Sequence, residues 1–217
     1  MPRARQNNKF HLELANTAQK MAYQAYQQHD VLFLTGPAGT GKTHLSIAFA
    51  INEILQKSQK RIILTRPVVE AGESLGYLPG DQYEKVDPYM RPFFDVLQKL
   101  LGKDGEQRQL VNEATEIAPL AYMRGRSLAN SICILDEAQN ATFMQIKLFL
   151  SRFEEGCKVI ISGDPFQSDL SGSSVPLVDI MRRLEIVQGV GIVRFKADNI
   201  LRHPLVGAIL QRLEEQH

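Results

Sequence analysis

The chain has 217 residues, enough to bury one sizeable core and too few for two large domains with linkers, so we expect a single domain over residues 1–217. Hydrophobic residues make up 44% and charged residues 23% of the sequence, the composition of an ordinary globular protein, and nothing in it suggests extended disorder. Lys and Arg number 25 against 24 Asp and Glu, a net charge of +1, so bulk charge neither favours nor excludes a nucleic-acid partner.

The sequence predicts a soluble cytoplasmic protein without membrane contact. The basic N-terminal segment is not followed by an apolar stretch of the signal-peptide type, and no run approaches the ~20 apolar residues of a membrane helix. The two cysteines, Cys133 and Cys157, lie in apolar, strand-like runs. We therefore expect both to be inert core residues.

Strands and helices alternate along the predicted chain. Five apolar runs have the length and β-branched content of buried strands: Val31–Thr35, Arg61–Thr65, Ser131–Leu135, Cys157–Ser162 and Gly191–Phe195. Segments with helical spacing lie between or after them: His44–Lys57, Tyr89–Leu101, Phe143–Phe153, Val175–Leu184 and Pro204–Leu213. This alternation predicts an α/β domain with a mainly parallel, doubly wound sheet. The long stretch between the second and third strands is expected to hold an inserted helical hairpin, at about residues 81–118, over the site.

A phosphate-binding loop is the strongest feature of the sequence. The segment between the first strand and the next helix matches G-x-x-x-x-G-K-[ST] in the context that makes this pattern specific: Gly36, Pro37, Ala38, Gly39, Thr40, Gly41, Lys42 and Thr43. Its glycines let backbone amides surround a phosphate without Cβ clashes. Lys42 is predicted to reach the β and γ phosphates and Thr43 to bind Mg²⁺, with His44 as the last residue of this site. The alternative is a glycine-rich turn without a ligand.

Two adjacent carboxylates follow the third predicted strand. Asp136 and Glu137 come directly after Ser131–Leu135, at the end of a strand where open α/β sheets bind ligands. Asp136 is predicted to hold Mg²⁺ through water, and Glu137 to orient and deprotonate the attacking water. The alternative is a pair of solvated loop carboxylates, the usual state of Asp and Glu.

Two glutamines are further candidates. Gln167 closes the segment Gly163-Asp164-Pro165-Phe166-Gln167 after the fourth strand, and we expect it to contact the γ phosphate or the attacking water. The alternative is an amide that caps a turn. Gln19, in Asn16-Thr17-Ala18-Gln19, lies on a predicted helix before the phosphate loop, where its amide suits the edge of adenine. The alternative for Gln19 is an exposed helical side chain.

Along the chain the order is the Gln19 segment, the phosphate loop, the segment Asp136-Glu137-Ala138-Gln139 and the Gln167 segment. Motifs in this order resemble those of superfamily 1 helicases, and they resemble the PhoH family more closely. Three further segments carry the second resemblance: TRPVVEAGESLGYLPG at residues 65–80, YMRGRSL at residues 122–128 and RHPL at residues 202–205. The likeness runs from about residue 12 to the end of the chain. It implies a three-layer RecA-like fold, ATP with Mg²⁺ as the cofactor, ATPase activity, a link to RNA metabolism and phosphate starvation, and ring-shaped homo-oligomers, with a hexamer as one candidate.

Ribonuclease activity is not carried over from this resemblance, and helicase activity is left open. Many cellular PhoH proteins carry additional nucleic-acid-binding or nuclease segments beside a core of this kind. Superfamily 1 helicases complete their site with a second RecA-like domain. The 217 residues leave room for neither the additional segments nor a second domain.

The sequence also raises the question of a catalytic arginine. A cation that neutralises charge in the transition state accelerates phosphoryl transfer by roughly 10³–10⁵-fold. Arg202 is our first candidate, and Arg66, Arg124 and Arg126 lie in other loops predicted near the nucleotide. Each of these has the alternative of an ordinary surface arginine. We expect the arginine of a neighbouring subunit in a ring to complete the site.

Two functions from different classes follow from these features. The first is an ATPase that couples hydrolysis to RNA or single-stranded nucleic acid through residues 65–80 and the hairpin, where cations and aromatic rings mix: Arg66, Tyr77, Tyr83, Tyr89 and Arg91. The alternative is that the aromatic rings pack in the hydrophobic core and do not contact nucleic acid. The second function is a nucleotide-controlled switch in assembly, without translocation. A small-molecule kinase is disfavoured because the acidic pair and Gln167 favour water as the phosphate acceptor.

Overall fold

A six-stranded parallel sheet forms the centre of the fold. The computed structural model of the chain describes residues 10–68, 82–102, 105–123, 125–168, 176–201 and 212. The strands are β1 Val31–Thr35, β2 Arg61–Thr65, β3 Thr115–Ile117, β4 Ser131–Leu135, β5 Lys158–Gly163 and β6 Val190–Arg194. They are arranged in the order β3-β2-β4-β5-β1-β6, and neighbouring strands pair in parallel.

Helices cover both faces of this sheet. Within the described residues they are α1 Thr17–Gln28, α2 Lys42–Leu55, α3 Gln82–Leu101, α4 Glu106–Ala114, α5 Phe143–Leu150 and α6 Pro176–Leu184. Helices α1 to α4 contribute to one buried cluster, and α5 and α6 contribute to the other. In the described part of the chain, no helix combines the length and the apolar character needed to cross a membrane.

Side chains of each central strand alternate between the two buried clusters. In β1, Leu32 and Leu34 belong to the cluster formed with α1 to α4, whereas Phe33 belongs to the cluster formed with α5 and α6. A strand that is covered on both faces needs apolar residues at every position, which explains the continuous apolar runs of the sequence. The predicted three-layer α/β fold is therefore confirmed.

The predicted strands agree closely with the observed ones. Val31–Thr35, Arg61–Thr65 and Ser131–Leu135 are confirmed residue by residue, and the other two predicted strands are displaced by one residue. The edge strand β3 was not predicted. It has three residues, all half-buried, which is too short for a hydrophobic pattern to detect.

The helices differ more from the prediction. Helix α3 begins at Gln82 rather than Tyr89, because it continues through Pro88 and Pro92, where sequence reasoning expects a helix to end. Helix α5 ends at Leu150, three residues before the predicted end. The predicted helix Pro204–Leu213 lies outside the described residues apart from Arg212. Helices α3 and α4 and strand β3 occupy the range in which the helical hairpin was expected.

Three neighbouring strands end at the edge of the sheet that carries the motifs. Strand β5 lies between β1 and β4. The amide of Gly36 donates to the carbonyl of Gly163 at 3.3 Å, and the amide of Asp136 donates to the carbonyl of Thr65 at 2.9 Å. The first bond joins the loop after β1 to the end of β5, and the second joins the segment after β4 to the end of β2. Because β4 also pairs with β5, the segments that the sequence separates meet at one edge of the sheet.

The two cysteines lie inside the sheet layer as predicted. Cys133 is fully buried and Cys157 is 3% exposed. Both are free thiols, with their sulfur atoms 3.8 Å apart. Their assignment as core residues is confirmed.

Candidate nucleotide site

The phosphate loop follows β1 and ends in the first turn of α2. Gly36, Gly39 and Gly41 have φ angles of 136°, 84° and 85°, which side-chain-bearing residues rarely adopt. Gly36 has a second constraint, because a Cβ there would lie 2.3 Å from the carbonyl oxygen of Phe195. The loop therefore depends on glycine both for its backbone conformation and for its close packing against the chain after β6.

Lys42 folds back over this loop. Its ammonium group donates to the carbonyl oxygens of Gly36 at 2.6 Å and Pro37 at 2.9 Å. The hydroxyl of Thr40 donates to the same Pro37 carbonyl at 3.0 Å. The charge predicted to meet the phosphates thus lies within the loop that would hold them.

Asp136 is the point where the loop, β5 and β2 meet. Its Oδ1 accepts hydrogen bonds from the hydroxyls of Thr43 at 2.9 Å and Ser162 at 2.7 Å. Its Oδ2 accepts from the guanidinium of Arg66 at 2.8 Å. The side chain of Asp136 is only 3% exposed, so these three partners compensate the loss of water around a buried carboxylate.

Glu137 lies beside Asp136 in a different environment. Its side chain is 45% exposed, and its Oε1 lies 3.7 Å from the Arg66 guanidinium. Its φ angle of 53° is left-handed, an unfavourable conformation for a residue with a Cβ. Backbone strain of this kind is found at functional sites, where surrounding contacts hold the residue in place.

Gln139 links Glu137 to the segment after β5. Its amide nitrogen donates to Glu137 Oε2 at 2.7 Å, and its Oε1 accepts from the backbone amide of Asp164 at 3.1 Å. The Asp164 carboxylate in turn accepts from the amide of Ala38, in the phosphate loop, at 3.2 Å. This chain of contacts holds the candidate base in a fixed relation to the loop.

These residues surround a cleft of about 540 Å³. The cleft brings together the loop residues, the acidic pair and the exposed Gln167, and α3 closes one side with Val96 and Lys99. Of the predicted site residues, the following line it: Ala38, Gly39, Gly41, Lys42, Thr43, His44, Asp136, Glu137 and Gln167. The alternative of two solvated carboxylates is wrong for Asp136, which is buried, whereas Glu137 is exposed to solvent beside the phosphate loop.

Gln19 lies on the other side of the loop. It is 5% exposed, so the alternative of an exposed helical glutamine is wrong. Asn16 caps the start of α1, because its side chain accepts from the backbone amide of Gln19, and the side-chain Oε1 of Gln19 accepts from the backbone amide of Ala15. The side-chain amide nitrogen of Gln19 lies 3.4 Å from the place where a Cβ on Gly41 would be. The Gln19 side chain therefore lies beside the phosphate loop.

The candidate arginines have different surroundings. Arg66 contacts Asp136, whereas Arg126 forms an ion pair with Glu116 of the edge strand β3, away from the cleft. Arg124 and Arg202 lie outside the described residues. No arginine lines the cleft in the ranges that the structure describes.

The rings and cations expected to meet nucleic acid are described only in part. Residues 69–80 and the side chain of Tyr83 lie outside the described set. Tyr89 is half-buried and packs against the core cluster, as the alternative interpretation expected of these rings. Arg91 is exposed on α3.

Comparison with known proteins places the chain in a family. The family model described as PhoH-like protein matches residues 11–214. A PhoH-like protein of Bacillus subtilis is 47% identical over 194 residues, which cover 89% of this chain and 61% of the relative. Protein PhoH of Escherichia coli is 47% identical over 193 residues, which cover 88% of this chain and 54% of the relative. The chain belongs to the PhoH family. It spans little more than half of the length of these PhoH relatives.

Solved structures share the fold of this PhoH-family chain. The large terminase of a thermophilic bacteriophage superimposes with a TM-score of 0.55 at 12% identity, over 92% of this chain and 50% of that protein. The Pyrococcus furiosus Hef helicase domain superimposes with a TM-score of 0.50 at 13% identity, over 82% of this chain and 37% of that protein. At such identities the likeness shows the fold alone, which is RecA-like.

Sequence analysis assigned no site role to three residues that bond to the candidate site residues of this PhoH-family chain. Ser162 bonds to Asp136, and Gln139 and Asp164 form the link between Glu137 and the phosphate loop. All three belong to or adjoin the motifs that were recognised. Their roles depend on β5 lying between β1 and β4, which those motifs do not specify.

The surroundings of His44 in the cleft lower its pKa. This residue follows Thr43 in α2 and lines the cleft together with Lys99. Burial lowers the pKa of the imidazole below its usual value, and the positive charge of Lys99 lowers it further. The unfolded chain therefore takes up a proton at higher pH than the folded chain does. The stability that neutral His44 contributes is complete above about pH 6.5 and is lost as the pH falls below it.

We predict that His44→Asn makes folding less sensitive to mild acid. Between about pH 7.5 and about pH 5.5, the free energy of unfolding should fall less in the variant than in the wild type, because the variant lacks the proton uptake of the unfolded histidine. Urea denaturation at both pH values measures this difference. As a control, Lys99→Met should raise the pKa of His44, followed by NMR, without restoring its usual value. An equal fall in stability for both chains would contradict the prediction.

Proposed function

We propose that this chain binds Mg²⁺ with ATP and hydrolyses the ATP in the cleft at the ends of β1, β4 and β5. The observation that carries the proposal is the 2.9 Å hydrogen bond from the Thr43 hydroxyl to Asp136 Oδ1. It places a hydroxyl from the phosphate-loop helix against a buried carboxylate, the arrangement that P-loop enzymes use to hold a metal ion beside nucleotide oxygens. Membership of the PhoH family and the RecA-like fold support it.

The donor set fits Mg²⁺, which prefers hard oxygen ligands and keeps several water molecules. Thr43 and Asp136 are the residues that would hold it. When bound, Mg²⁺ would neutralise the negative charge of the phosphate oxygens. Ser162 and Arg66 hold the carboxylate of Asp136 from other directions, so its orientation does not depend on the metal.

Three side chains of the cleft would carry the chemistry. Glu137 is the general base, because its carboxylate is accessible to water and is held by Gln139. Lys42 would exchange its contacts with the loop carbonyls for the β and γ phosphates. Gln167 is exposed at the rim of the cleft, where its amide would contact the γ phosphate or the water.

ATP is the nucleotide we propose, and Gln19 is the residue proposed to contact its base. The side chain of Gln19 is buried beside Gly41 at the start of α2, and its Oε1 is already used by the amide of Ala15. Its amide nitrogen is the atom nearest to the loop and would serve as a donor to the base.

We predict that Glu137→Gln separates binding from hydrolysis. The variant keeps the size of the side chain and its contact with Gln139, but it loses the group that accepts a proton. Turnover should fall by about 10²–10⁴-fold, whereas the Kd for Mg²⁺ with ATP should change little. Steady-state turnover and calorimetric titration measure the two effects. Lys42→Ala is the matched control, because it should weaken binding itself. Wild-type turnover in Glu137→Gln would contradict our assignment of the base.

We propose further that hydrolysis is coupled to RNA or single-stranded nucleic acid. One solved structure with the same fold is a helicase domain, which supports a role of this class. The wall of the cleft formed by α3 would provide a route, since Val96 and Lys99 line the cleft while Arg91 is exposed on the same helix.

A nucleotide-controlled switch in assembly is the second candidate. A mostly apolar groove of about 560 Å³ adjoins the start of the phosphate loop on its other side. Gly36, Pro37, Phe166 and Met181 are among its lining residues, and the Phe166 side chain is 91% exposed. A protein surface that covers this groove would respond to changes in the loop.

The two candidates differ in their response to RNA. If hydrolysis is coupled to nucleic acid, an unstructured RNA oligonucleotide should raise the ATPase rate several-fold, because its binding energy favours the hydrolysing state. The measurement is the turnover rate with and without RNA at low salt, with a polyanion such as heparin as the control for charge alone. An unchanged rate would favour the switch.

We also propose that a neighbouring subunit supplies the catalytic arginine, with Arg202 as its first candidate. The motivation is that no arginine lines the cleft among the residues that the structure describes, since Arg66 points to the acidic pair. Specific activity should therefore rise with protein concentration as the chains assemble. Turnover and particle mass from nanomolar to micromolar protein test this. Equal specific activity with a monomer mass throughout would remove the proposal.

A further inference from the structure

One guanidinium contacts both the acidic pair and helix α3. Nη2 of Arg66 donates to Asp136 Oδ2 at 2.8 Å and lies 3.7 Å from Glu137 Oε1. Nη1 donates to the carbonyl oxygen of Tyr89 at 3.1 Å, and the guanidinium carbon lies 5.1 Å from the centre of the Phe93 ring. Because Tyr89 and Phe93 are four residues apart, they lie on one face of α3. Arg66 therefore joins that face to the end of β4.

The two oxygens of Asp136 have different partners. Oδ1 accepts from Thr43 and Ser162, and Oδ2 accepts from Arg66. Thr43 and Asp136 are the residues that would hold the metal ion, and Arg66 bonds the oxygen of Asp136 that Thr43 does not bond. Arg66 and the ion can therefore act together. A group that bonds the far oxygen of a metal-binding carboxylate fixes its orientation.

The guanidinium of Arg66 is suited to contact two elements at once. Its side chain is 13% exposed, so its contacts are made away from bulk water. One Nη atom donates to Asp136 and the other to the carbonyl of Tyr89. A planar fork with several donors can do this, whereas a single ammonium group cannot.

Helix α3 extends from Arg66 to the wall of the cleft. Pro88 and Pro92 each remove a backbone donor from the half of α3 that contacts Arg66, so this half has fewer internal hydrogen bonds. Val96 and Lys99, further along the same helix, line the cleft. Phe93 and Lys99 are separated by about 9 Å of helical rise. A change at Arg66 would therefore reach the cleft through one continuous helix.

We propose that Arg66 is a positioning residue that orients Asp136 and Glu137 and couples their state to α3. This inference rests on the proposed function, because the orientation of the carboxylates matters only if the cleft binds Mg²⁺ with ATP. In this role Arg66 acts through the acidic pair and does not contact the phosphates.

The test compares Arg66→Gln with Arg61→Gln. Arg61 lies on the same strand, and its exposed side chain bonds only the carbonyl of Ser127 among the described residues. Hydrogen exchange of the amides in residues 88–101 is measured with and without Mg²⁺ and a non-hydrolysable ATP analogue. The analogue should slow exchange in the wild type and in Arg61→Gln. In Arg66→Gln this response should fall by about half or more, and turnover by about 10–100-fold, with the Kd for the analogue within about threefold.

Arg66→Lys decides the outcome if Arg66→Gln does not fold. Lysine keeps the charge beside Asp136, but a single ammonium cannot contact Asp136 and Tyr89 together. We expect this variant to fold, to retain part of the turnover and to lose the response of α3. Wild-type turnover and a wild-type response of α3 in a folded Arg66 variant would overturn the inference alone. A wild-type chain that binds no magnesium nucleotide would overturn the proposed function and this inference together.

Discussion

The Asp136 carboxylate accepts hydrogen bonds from Thr43, Ser162 and Arg66, which belong to α2, β5 and the end of β2. A carboxylate buried to this extent is costly to remove from water unless its lone pairs are satisfied. The three elements are therefore held against the end of β4 by a single group. The loss of any one partner would leave part of a buried carboxylate unsatisfied, which is energetically unfavourable. The phosphate loop and the acidic pair therefore keep their relative positions.

A second set of contacts holds the base candidate. Glu137 has a left-handed backbone, and Gln139 ties its carboxylate to the segment after β5, which Asp164 ties to the amide of Ala38. Rigid positioning of a carboxylate next to accessible space is what general base chemistry requires. The two networks meet at Arg66, which bonds Asp136 and lies beside Glu137. The same guanidinium donates to the carbonyl of Tyr89 and so connects the acidic pair to α3.

Much of the fold and the site could be predicted from local patterns. Strand β1 followed by the glycine-rich loop predicts both the strand and the bend, because apolar runs and glycine act on the backbone where they occur. The same holds for β4 and the acidic pair after it. The start of α3 could not be predicted, since the helix continues through Pro88 and Pro92 within tertiary contacts. Strand β3 could not be predicted either, because three half-buried residues carry too weak a pattern.

The sequence by itself determined which segments become strands, where the loops with unusual backbone angles lie, and which chemical groups these loops present. Only the tertiary structure decided that β5 separates β1 from β4, that Ser162 bonds to Asp136, and that Arg66 joins the acidic pair to α3. The physical reason is that strand order and side-chain pairing arise from contacts between residues far apart along the chain. A local pattern records the preference of each segment and does not specify its neighbour in the sheet.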